Sequence, residues 1–94
     1  MNRELFETIL SAEPALTRDG DSFDAGSRSG LSVLLQAASG GPVPLARVKR
    51  ITLSARIVRV ETEKATYTLP YAHLAGLKAD RGDENRSGRA GFGA

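Results

Sequence analysis

Cysteine is absent from this 94-residue chain, which excludes both a disulfide framework and a thiolate metal site. A domain this small without staples depends on packing, helped where needed by self-association. Histidine occurs once, at His73, so a single chain cannot assemble a histidine-rich zinc site, and no cofactor is expected. Tryptophan is missing, and Phe6, Phe23, Phe92, Tyr67 and Tyr71 are the only aromatic residues. That is too few for a sheet that binds single strands by stacking bases on aromatic rings. Long apolar runs are lacking too. The longest, such as residues 31–35, fall far short of the ~20 residues that span a bilayer. The acidic N-terminus lacks the basic flank and apolar stretch of a signal peptide. The sequence therefore points to a cytoplasmic protein with no membrane partner.

Acidic residues are missing from one stretch, and that absence is informative. Residues 27–60 hold Arg28, Arg47, Lys49, Arg50, Arg56 and Arg59 with no Asp or Glu, whereas residues 1–26 carry a net charge of −4. A basic block of this kind attracts polyanions by counterion release. The chain's own acidic first quarter is an equally available partner.

Residues 3–12 read as an amphipathic helix. Asn2 is placed to cap it, Glu4 complements its positive end, and Leu5, Phe6, Ile9 and Leu10 share a face until Pro14 stops the run. Such a short helix is marginal alone, so it must lie on the domain or on a protein partner. Asp19-Gly20 then predicts a tight type I′ hairpin between strands at 15–18 and 21–24. Residues 26–30 form a loop, and residues 31–35 a strand. Glycine and proline break the chain at 39–44.

Beyond that break the pattern is β. Ile51, Leu53, Ala55 and Ile57 share one parity, and Val58 and Val60 take the other, so a bulge, a turn near residues 54–55 or two-sided burial is required. A turn at Glu63-Lys64 leads into a strand at 65–69, and Pro70 is expected to end regular pairing. Residues 71–79 fit either a short helix or a closing strand. The fold class expected is mainly β (α+β): a small, strongly bent β-barrel or sheet behind one N-terminal helix. One domain covers residues 1–79, with a flexible tail at 80–94 too charged and glycine-rich to bury a core.

Catalytic machinery is not visible. Asp19, Asp21 and Asp24 lack the ligand spacing of a calcium loop and read as a solvated hairpin tip. No nucleophile elbow or phosphate-binding glycine run is present. The expectation is a protein that is not an enzyme.

One resemblance spans about half the chain. Residues 31–35 look like a first strand, 43–51 a second and 56–61 a third, and Tyr71-Ala72-His73-Leu74 looks like a Tyr-Lys-His-Ala motif followed by a last strand at 75–79. Together these resemble the bacterial Sm-like RNA chaperones of the Hfq type. The likeness implies a bent five-stranded barrel, a homo-oligomeric ring, and contact of the motif's lysine and histidine with uridine-rich RNA. Tyr71 and His73 match the motif. Ala72 replaces its lysine, and Arg47 stands where the family's second strand bends at glycine. A second likeness, carried by the segment from Pro70 to Leu77, is to small bacterial β domains that act as interaction modules.

Two functions stay open at this point. One is a non-catalytic RNA-binding small β-barrel, with Arg47, Lys49, Arg50, Arg56 and Arg59 on phosphates and Tyr71 and His73 on bases. The other is a protein-interaction or assembly module that docks through its helix or an open sheet edge.

Overall fold

A computed structural model describes residues 1–26 and 30–80. Helix α1 covers Arg3–Ser11, and the Asn2 side chain accepts from the Leu5 N–H, as its capping role requires. The strands follow in chain order: β1 (Thr17–Asp19), β2 (Ser22–Asp24), β3 (Leu31–Leu35), β4 (Val43–Leu45), β5 (Val48–Leu53), β6 (Ile57–Thr62), β7 (Thr66–Pro70) and β8 (Leu74–Ala79). A 3₁₀ turn at Tyr71–His73 joins the last two.

The chain is mainly β, in two antiparallel sheets. One has the order β1-β2-β5-β6-β7 and the other β4-β3-β8. Among the described residues the strands do not close into a barrel: the expected mainly β class behind one N-terminal helix holds, and in place of a barrel there are two separate sheets. No helix of the described residues is long and apolar enough to cross a membrane. The expected tail lies outside the described residues from position 81, as do positions 27–29 of the 26–30 loop.

The inner faces follow from the register. Phe23, Ile51, Val60 and Tyr67 are aligned across β2-β5-β6-β7, and Leu53, Val58 and Leu69 across β5-β6-β7. Leu45, Val33 and Leu77 do the same in the smaller sheet. One buried cluster joins the two sheets with Phe6 and Leu10 of α1. Burial of this kind stabilises by about 25 cal/mol per Å² of apolar surface, and it is what holds a chain without staples together.

Several local readings are corrected. The hairpin turn is centred on Gly20-Asp21, one residue later than expected. Gly20 at φ 64° occupies the first central position, as a type II′ turn needs, and the strands shift with it. Leu5 is 51% exposed while Phe6 and Leu10 are buried, because a nine-residue helix turns only a narrow stripe towards the core. The parity switch is a turn at 54–56, closed by the Ser54 N–H donating to the Ile57 carbonyl at 3.0 Å, which leaves Ala55 and Ile57 outside the core. Pro70 ends β7 as expected, its last pairing being with Ile57. Residues 71–79 are neither all helix nor all strand, since one 3₁₀ turn leads into β8.

Residues 43–51 do not form one strand. The chain leaves β4 and enters β5 through Arg47, whose φ of 58° lies in the left-handed region.

Candidate functional site

The basic residues reach the surface but do not form one stripe. Arg47 and Lys49 lie at one end of β5 and Arg56 in the turn beyond the other, separated by roughly 20 Å of strand at 3.3 Å per residue. Lys49 protrudes where the register between β5 and β6 shifts. Arg59 sits on the outer face of β6 between Thr52 and Thr68. All five are exposed.

Two of the five are engaged by acids. Arg50 donates to Asp24 at 3.2 Å across the β2–β5 pair, and Glu61 lies opposite it on β6. Arg47 approaches Glu63 at 3.9 Å. The acidic first quarter is thus partly the partner of the basic block. It is also stitched to itself by Arg3 with Asp21 and Arg18 with Glu7. Arg18 further stacks over Phe23, 5.1 Å from the ring centroid. Among the described residues, Lys49, Arg56 and Arg59 have no ion pair.

Asp24 records this pairing electrostatically. The Gly26 N–H bound to its carboxylate, then the Arg50 contact, hold its carboxyl below the ordinary aspartate range. A folded-state pKa lowered in this way contributes stability that is fully present above the unfolded value and is lost as pH falls through the folded one. Followed by NMR, Asp24 is expected to titrate below ordinary aspartates, and Arg50→Ala should raise its midpoint. An unmoved midpoint would show that the pair does not form in solution.

Tyr71 and His73 part company. Tyr71 is only 6% exposed and its hydroxyl donates to the Ser54 carbonyl at 2.6 Å. Burial pushes its phenol up. The ring is part of the core and does not face a surface that a base could reach. His73 is exposed, and its carbonyl accepts from the Gln36 N–H at 2.8 Å. No cluster of three or more potential metal-ligating residues occurs among the described residues.

The feature the sequence did not expose is the state of the four sheet edges. Antiparallel partners alternate between hydrogen-bonded and non-bonded pairs. The Thr62 N–H donates to the Ala65 carbonyl at 2.8 Å and the β6–β7 register is unbroken. Tyr67 and Leu69 therefore bond to β6, while the backbone groups of Thr66 and Thr68 and the Pro70 carbonyl point outward. In β8, the Asp80 N–H donates to Gly30, which directs Lys78 and Gly76 to β3 and leaves Leu77 and Ala79 outward.

The other two edges are guarded. On β4 the same alternation turns Pro44 outward, where it has no N–H to offer. On β1 only the backbone of Arg18 faces out, beside Asp19. Among the described residues β7 and β8 each pair on one side only, with α1 lying near β8; they carry Lys78 as their single charge, and Tyr67 at the edge of the β7 inner face is 37% exposed. A run of β-prone, uncharged residues at 65–69 was the available signal for such an edge. Compared with protein families, curated proteins and solved structures, the chain matches none.

Proposed function

We propose that this protein is a non-catalytic cytoplasmic assembly module that builds a homo-oligomer by strand pairing through β7 and β8. One observation carries the reading: two sheet edges are blocked by Pro44 and by the charged β1, while two present outward N–H and C=O groups with little charge to repel a partner strand. The two open edges are unlike, so pairing β7 of one copy with β8 of the next is a head-to-tail contact, which closes into a ring or runs on as a filament. The likeness to Sm-like proteins belongs to the same proposal. What supports it is local: a strand broken at Arg47, the 3₁₀ turn at Tyr71–His73, and a last strand lying against β3.

A second reading, RNA binding on the assembled module, is favoured by the exposed Lys49, Arg56 and Arg59 without ion pairs among the described residues, with His73 in reach of a base. Molecular mass in solution, measured with and without nuclease, tests both. The assembly reading expects a multimer whose protein mass nuclease does not change, and a monomer at every concentration overturns it. The RNA reading expects co-purifying nucleic acid and a mobility shift that weakens steeply with salt. No shift at low salt sinks it.

A further inference from the structure

β7 belongs to the five-stranded sheet and β8 to the three-stranded one, so the angle between these two edges depends on how the sheets are joined: directly, through the 3₁₀ turn at Tyr71–His73, and at the corner between β4 and β5. From β4 to β5 the chain passes between the sheets in two residues, Ala46 and Arg47. Arg47 is the only non-glycine residue with positive φ among those described. An L side chain is disfavoured there and persists only where its surroundings hold it. The hold is visible: the Glu63 N–H donates to the Arg47 carbonyl at 3.3 Å, and the Glu63 carboxylate stands 3.9 Å from the Arg47 guanidinium. Glu63 lies in the turn between β6 and β7, so the corner is tied to the strand whose edge it aims.

We propose that Arg47 is a positioning residue whose left-handed corner, clamped by Glu63, acts with the Tyr71–His73 turn to set the angle between the β7 and β8 edges and thereby the number of copies that close on one another. In a head-to-tail assembly each copy is rotated from the last by a fixed angle, and that angle sets the count. The inference rests on the assembly reading for its consequence but not for its geometry.

The lack of cysteine makes the test direct. Thr66→Cys with Lys78→Cys places one spin label beside each open edge, and dilution into excess unlabelled chain leaves only the distance within one copy. Arg47 itself and Arg47→Asn, which tolerates the left-handed region, are expected to give one narrow distance. Arg47→Gly is free to leave that region and is expected to broaden or displace it, with native mass changing from one stoichiometry to two or more. An Arg47→Gly distance distribution identical to that of the unsubstituted chain overturns the proposal. So does a changed distance accompanied by an unchanged single stoichiometry, because the corner would then not set the count. A chain that is monomeric throughout overturns the assembly reading, and with it the consequence for copy number, while the distances still decide whether Arg47 sets the angle.

Discussion

Replacing Phe6 with alanine is expected to cost the fold about 3–5 kcal/mol, the usual loss for a phenylalanine removed from a packed core. Phe6 has no exposed surface and joins α1 to the cluster that includes Phe23, Leu53 and Leu74. A nine-residue helix has almost no stability of its own. Its other ties are the buried Leu10 and the surface ion pairs of Arg3 and Arg18, and such pairs contribute about 0–1 kcal/mol each. Against a total of roughly 5–15 kcal/mol for a small domain, losing Phe6 leaves little. Urea denaturation followed by circular dichroism measures it, with Arg3→Ala and Leu5→Glu expected to lie within about 1 kcal/mol of the unsubstituted chain. Equal losses for Phe6→Ala and Arg3→Ala would mean that the helix is not packed on the sheets, and would return it to the role of a free docking element.

That distinction was only half legible in the sequence. The spacing of Leu5, Phe6, Ile9 and Leu10 gives a helix and a face, yet periodicity cannot say which edge of the face a neighbouring element covers, and Leu5 is left outside. The strands at 31–35 and after the turn at 54–56 follow from alternation alone, because period 2 is a local property. Residues 71–79 were ambiguous for the opposite reason. Leu74, Gly76 and Leu77 fit both periods, and only pairing with β3 decides for strand. Nothing local predicts that Arg47 takes a left-handed conformation, since the bend is imposed by the two sheets that it joins.

The candidate site divides along the same line. The basic residues were visible as charges, but whether each is available depends on acids brought in by strand register. Asp24 reaches Arg50 only because β2 pairs with β5, and Glu63 reaches Arg47 only because β6 folds back along β5. Tyr71 was visible as part of a motif, whereas its burial follows from its place in the core cluster, where its hydroxyl donates to the Ser54 carbonyl. Edges are least legible of all. Being an edge is a relation to strands that are not there, and it appears only once every pairing is known.

Replacing Thr68 with proline is expected to reduce the assembled mass to that of a single chain while leaving the monomer folded. The Thr68 N–H points away from β6, so proline removes no bond of the existing ladder. It removes the donor at the middle of the open edge, and its ring crowds the place where a partner strand would lie. The neighbouring substitution supplies the contrast. The Leu69 N–H faces β6, and Leu69→Pro would break a bond within the five-stranded sheet, lowering the melting temperature as well as the mass. Light scattering across a concentration series, read beside the circular dichroism spectrum, separates the two. If Thr68→Pro keeps the mass of the unsubstituted protein, β7 is not the docking edge. If it loses the fold together with the mass, Thr68 is not an outward residue and the alternation deduced along β7 is wrong. Retained fold with lost mass is the result that only an edge-pairing assembly predicts, because no side chain of the core and no charged group has been altered.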